Sequence, residues 1–253
     1  MTKFPGSRGA PRAMRYDTCA LFPAGEIVRI LVTLLALSCL VPWSLPAQIP
    51  TRDLVYFGGM GGIATLSGDG SAVITSTSAS TSLYDPSNGG AASAFIGAHI
   101  FNYVSLQADY VWNRNDVVLA SSINTPGASS FYRLPESVTQ NAFLGNALIF
   151  FRKRGSRIRP YLAEGVGAAL IHSRLAGGGI VSGNPALPPA SSGHDSIALR
   201  TSVGLDLRLR GPWHFRYSFG ETLTRNTFGD QLSPPEHRVA KNFQSLFGIY
   251  FML

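Results

Sequence analysis

The chain has 253 residues, enough for one large domain or two small ones, and combines 45% hydrophobic residues with only 14% charged residues and 27 glycines. That balance suits either a β-rich soluble protein or a membrane barrel. The formal charge is +7, but residues 1–47 hold five of the 21 basic and two of the 14 acidic side chains, leaving a net of about +4. No basic stripe with interleaved aromatics accompanies this excess, so nucleic acid is excluded as a partner.

The N-terminus reads as an address. Arg29 precedes the apolar run Ile30–Val41, which Pro42 breaks and "SLPAQ" follows, with the small residue Ala47 as the expected cleavage point. A run this short falls below the ~20 apolar residues of a membrane helix and matches a secretory signal peptide. Residues 1–47 are therefore expected to be removed, with Met1 or Met14 as the start, leaving 48–253 as one barrel domain. A lipoprotein reading through Cys39 is the weaker one, because the apolar run continues past it. Both cysteines, Cys19 and Cys39, leave with that segment, so no disulfide, thiolate metal site or cysteine nucleophile is expected afterwards.

Eight strand-like segments follow. The first two, 54–66 ("LVYFGGMGGIATL") and 91–102, carry apolar or small residues on both faces. The third, "VSLQADYVW", sets Val104, Leu106, Ala108, Tyr110 and Trp112 against Ser105, Gln107, Asp109 and Val111. Segments 136–151 and 157–172 again leave the faces unassigned. The sixth is the cleanest: Ile197, Leu199, Thr201, Val203, Leu205, Leu207 and Leu209 alternate with Arg200, Asp206, Arg208, Arg210 and small residues. In the seventh, Trp213, Phe215, Tyr217, Phe219 and Leu223 oppose His214, Arg216, Ser218, Gly220 and Thr222, with Glu221 as a break on the apolar side. The last places Phe243, Phe247, Ile249, Phe251 and Leu253 in phase. Such alternation is the mark of a strand with two different faces.

The connections alternate in length. Gly/Ser/Pro-rich loops are expected after the first, third (about 114–135), fifth and seventh segments, and links of a few residues after the others. That layout puts the long loops at one end and both termini at the other, as in an up-and-down bacterial membrane barrel. A soluble sandwich also alternates, but its apolar faces meet in a core. Here the polar face mixes small residues with mid-strand charges, and the apolar face is long and aromatic. The fold class expected is all-β: an eight-stranded antiparallel up-and-down transmembrane barrel. A soluble periplasmic barrel is the rival.

Residues 50–253 resemble the eight-stranded outer-membrane barrel family typified by the transmembrane domain of outer membrane protein A. The resemblance rests on topology, on "RPYLAEGVGAAL" (Arg159–Leu170) and on the ending "GIYFML". Gly248, Phe251 and Leu253 in that ending are similar to the C-terminal assembly signal of such barrels, although the family usually ends in Phe and has a polar residue where Leu246 stands. The resemblance implies outer-membrane localisation, with outer-membrane lipid and the barrel assembly machinery as partners. The family's frequent peptidoglycan-binding domain is not expected here.

An eight-stranded interior is just wide enough to be filled by side chains. Asp109, Arg200, Asp206, Arg208 and Arg216 are expected inside, with Glu164 added if its strand points that way, joined as ion pairs because unpaired buried charge is costly. No catalytic residue, cofactor or metal is expected. His214 and Ser218 share a face but lie about 13 Å apart by strand rise. His172, His194 and His237 lack ligand spacing, and the His-x-Ser pair of outer-membrane deacylases is missing. Turn cations Arg152, Lys153, Arg154, Arg157 and Arg159 are read as solvated, with attraction to an anionic periplasmic polymer or lipid as the alternative. The function expected is structural or surface interaction, with a loop ligand read by residues such as Tyr84, Phe131 and Tyr132. A narrow channel or a lipid-modifying enzyme is the alternative.

Overall fold

The structure is a computed structural model describing residues 54–226, Leu232, Pro234 and residues 239–253. The expected signal segment, His237 and most of the connection before the last strand lie outside these residues.

Among the described residues the chain forms eleven strands: β1 (Val55–Leu66), β2 (Asp69–Ile74), β3 (Ala79–Pro86), β4 (Gly89–His99), β5 (Val104–Thr125), β6 (Ala128–Phe150), β7 (Ile158–Leu175), β8 (Ile180–Ser182), β9 (Ser191–Arg208), β10 (Trp213–Arg225) and β11 (Val239–Met252). Eight of them close a ring in the order β1, β4, β5, β6, β7, β9, β10, β11 and back to β1, with every pairing antiparallel. Closure leaves the ring strands no free edge, so their backbone polar groups pair within the wall.

The period-two pattern sorts side chains as the alternation predicts. Along β5, Ser105, Gln107, Asp109, Val111 and Asn113 are buried, while Leu106, Ala108 and Tyr110 face out. Phe57, Ile96, Leu106, Phe143, Phe219 and Phe247 are exposed large apolar side chains on the outer surface. One end carries the short turns 100–103, 151–157 and 209–212 together with the C-terminus; the other carries the long connections.

Three expected loops contain strand. β5 and β6 run on through 114–135 and meet at Pro126 and Gly127, where Gly127 takes φ 88° and so turns the chain in two residues. The first long connection folds as the β2–β3 hairpin, with β3 pairing the far half of β5, and the third contains β8, which pairs with β6. Beyond the apolar belt the outward positions become polar (Arg114, Asp116, Ser137, Thr139), so composition there resembles a loop although the alternation continues. Conversely, 100–102, expected in the second strand, form a turn.

Tyr84 and Tyr132, expected at an exposed loop surface, are buried. They join Leu66, Leu119, Leu134 and Leu232 in an apolar cluster that fills the long-connection end of the bore. The reason is register: Tyr84 pairs with Leu119 and Tyr132 with Ser121, which places both rings on the inner face of the extended wall. Phe131, their neighbour, is half-buried.

Candidate functional site in the barrel interior

The inner face near the short-turn end is built around one cation. Arg216, on β10, is fully buried and makes a two-point contact with Asp206 on the neighbouring strand β9: Nε to Oδ1 at 2.7 Å and Nη2 to Oδ2 at 2.9 Å. Its Nη1 donates across the bore to Gln107 Oε1 on β5 at 2.6 Å. Tyr250 donates to Asp206 Oδ2 at 2.9 Å and Tyr56 to Gln107 Oε1 at 3.0 Å. The guanidinium is also surrounded by the rings of Tyr250, Phe95, Tyr161 and Tyr56, at 4.7, 4.9, 5.2 and 5.3 Å from their centroids. Strands β1, β4, β5, β7, β9, β10 and β11 thus all contribute to the surroundings of one side chain. A fork-shaped donor matched to a carboxylate is a strong, directional contact, and aromatic faces attract the remaining positive charge.

A second ion pair lies further along the bore. Gln107 Nε2 donates to Asp109 Oδ1 at 2.5 Å, and Asp109 Oδ2 stands 3.9 Å from Arg200 Nη1. That distance exceeds a direct hydrogen bond. Between the two lies a cavity of about 10 Å³, the room of a single water molecule, lined by Asn146, Ser202 and Ser218 among others.

Asp109, Arg200, Asp206 and Arg216 are therefore gathered inside, with Gln107 linking the two pairs. Glu164 is not among them. It faces outward between Leu162 and Val166, where its carboxylate accepts from Thr201 Oγ1 at 2.8 Å. The inward positions of β7 beside it are Gly165 and Gly167, facing Arg200 and Ala198 on β9, and these small residues masked the parity of the strand. Arg208 is exposed at the end of β9, past the wall that would enclose it. Arg159, expected at the turn surface, is instead buried, with its guanidinium 3.8 Å from the Phe150 centroid and Nη2 donating to Asn102 O at 3.3 Å.

The sequence reading placed Gln107 on the polar face of its segment but not in the charge network, and it missed Tyr56, Phe95, His99 and Tyr250 inside. The signal available for Tyr250 was its parity, since it falls on the inner face of the last strand between Ile249 and Phe251. His99 Nδ1 hydrogen-bonds Ser105 Oγ across the β4–β5 turn, and both residues are buried. His214 stacks on Tyr250 at 4.7 Å rather than reaching Ser218. Among the described residues no group of three or more His, Cys, Asp or Glu is arranged to hold a metal ion.

Gly248 sits against the β1 backbone, and Phe251 and Leu253 lie on the outer face of the closing strand pair. Beyond the belt, Glu136 is buried seven residues past the outward Phe143. Burial raises its carboxyl above the ordinary 4.5, while a Ser173 hydrogen bond opposes the shift.

The chain is an eight-stranded up-and-down β-barrel. No family model matches it, and no curated protein does. Among solved structures the barrel is similar to Neisserial surface protein A, at 13% identity over 79% of this chain and 97% of that one, TM-score 0.48. It is also similar to the outer membrane protein OprG from Pseudomonas aeruginosa, at 12% identity over 80% and 97%, TM-score 0.46. A third likeness is to the outer membrane protease OmpT from Escherichia coli, at 10% identity over 80% and 98%, TM-score 0.48.

Proposed function

We propose that the barrel is exported, spans an outer membrane with its short turns in the periplasm, and serves a structural or surface-interaction role rather than passing solutes. The observation that carries this reading is Arg216, held across the bore by Asp206 and Gln107 and enclosed by four rings. A fully buried guanidinium with both a carboxylate and an amide acceptor is costly to displace, so solute would have to break this cross-bore contact. The exposed apolar belt supports lipid around the wall. Beyond the belt, the β2–β3 hairpin and β8 expose Val73, Ile74, Leu83, Ile180 and Val181, and these are the side chains assigned to surface contact.

Planar-bilayer recording of the reconstituted barrel tests this. No discrete conductance steps are expected; regular steps from the wild-type chain would make it a channel. Lipid mass spectrometry of expressing cells, with an unchanged acyl profile expected, separates this role from lipid modification.

A further inference from the structure

The short-turn end carries charge that the interior does not use. The β6–β7 turn exposes Arg152, Lys153 and Arg157; Arg208 is exposed at the end of β9 and Arg210 on the β9–β10 turn. Because β7 pairs with β9, these turns are neighbours, and the Arg208 N–H donates to the Arg157 carbonyl at 2.8 Å. Each turn is held by its own backbone bonds: Ser156 N to Lys153 O at 2.9 Å in one, Leu209 N to Trp213 O at 3.0 Å in the other. No acidic residue lies on either turn, and the nearby Asp206 is buried and taken by Arg216. Five exposed cations on and beside two adjoining turns form a cationic patch that an anion would neutralise.

Their height selects the anion. Exposed apolar side chains interrupt the cations: Phe151 precedes Arg152, Ile158 follows Arg157, and Leu209 separates Arg208 from Arg210. The charges therefore begin where the apolar belt stops, at the level of lipid headgroups. On the other side of the β6–β7 turn, where β5 pairs with β6, the β4–β5 turn exposes Ile100, Phe101 and Tyr103 and has no charged side chain. The geometry points to these paired turns as a binding site for anionic phospholipid headgroups, with Arg152, Lys153, Arg157, Arg208 and Arg210 holding lipid phosphates at the periplasmic face. An acidic polymer in the aqueous phase would meet the same charges but would gain nothing from Phe151, Ile158 and Leu209. The inference rests on the membrane-barrel reading proposed above.

The test uses the full chain expressed with its own N-terminus, purified from membranes and placed in nanodiscs of phosphatidylcholine containing a minority of phosphatidylglycerol. Gel mobility of unboiled against boiled protein is read first; a membrane fraction with no shift overturns the barrel reading itself. Native mass spectrometry then gives the ratio of the two lipids retained. Phosphatidylglycerol is expected to be enriched over its share of the bilayer. The enrichment is expected to fall with salt and to drop to about the bilayer share in a combined Arg157→Gln, Arg208→Gln, Arg210→Gln variant. A variant of equal net charge, Arg133→Gln, Arg174→Gln, Arg225→Gln at the opposite end, is expected to keep it. Equal retention in all three shifted proteins overturns the site, as does full displacement of phosphatidylglycerol by soluble poly-glutamate, which would assign the turns to an acidic polymer.

Discussion

Gly97 lies beneath the ring of Tyr56. The two are paired residues on β4 and β1, and a Cβ added at Gly97 would stand 2.4 Å from Tyr56 Cζ and Oη. The same relation recurs at Gly204 under Tyr161, where the added Cβ would approach the ring to 2.3 Å. Two of the four rings that enclose Arg216 are thus seated in spaces left by glycines on neighbouring strands. Gly97→Ala is expected to displace the Tyr56 ring, break its bond to Gln107 and cost about 1–3 kcal/mol as an overpacked interior position. Gly90→Ala, on the same strand with nothing near the added methyl, is expected to stay within about 0.5 kcal/mol of wild type. Urea midpoints read by gel mobility compare the two.

The Arg216–Asp206 contact is expected to show strong non-additivity. Asp206→Leu alone strands a buried guanidinium and should cost about 3–5 kcal/mol, and Arg216→Leu alone should be similarly severe. The double Leu variant should recover most of the loss, since neither charge is then left unpaired. A double variant whose loss equals the sum of the singles would show that the two side chains stabilise the fold independently.

Glu164 should report the lipid directly. Its carboxylate is exposed between Leu162 and Val166 with Thr201 as its hydrogen-bond donor. Glu164→Leu is expected to stabilise the barrel in bilayers by about 1 kcal/mol, less than the penalty of a lipid-facing Lys or Arg. The same substitution is expected to have less effect in a water-rich micelle. Parallel urea titrations in liposomes and micelles measure the difference.

The buried Glu136 couples the extended hairpin to pH. Its raised folded value means that the folded state keeps the proton where the unfolded chain has lost it. Stability from this group is therefore full below the ordinary 4.5 and declines as pH rises from there through the folded value. Protease cleavage at the β5–β6 hairpin is expected to increase across that window in wild type and to be flat in Glu136→Gln.

Part of the interior was legible from parity alone. Asp109, Arg200, Asp206 and Arg216 stand on faces whose opposite positions are apolar over many residues, and each lies inside. Glu164 was misplaced because alanine stands on both faces of its strand and glycine fills inner positions where polar residues would have marked the face. The upper halves of β5 and β6 were hidden for a related reason: outside the belt both faces are polar or small at many positions, and strand resembles loop in composition.

The alternation of the chain by itself determined that it forms long two-faced strands, with an apolar exterior and a polar interior, because side-chain direction in a strand is a local property of the backbone. Which interior groups meet was decided only by closing the ring. Arg216 and Gln107 are 109 residues apart and not on paired strands, and their 2.6 Å contact exists because the bore is narrow enough for one side chain to cross it. The fate of Arg159 was decided the same way: within a turn cluster it reads as solvated, yet the closed wall turns it onto Phe150. Strand direction follows from neighbouring residues, whereas partners across a bore follow from the register and closure of the whole sheet.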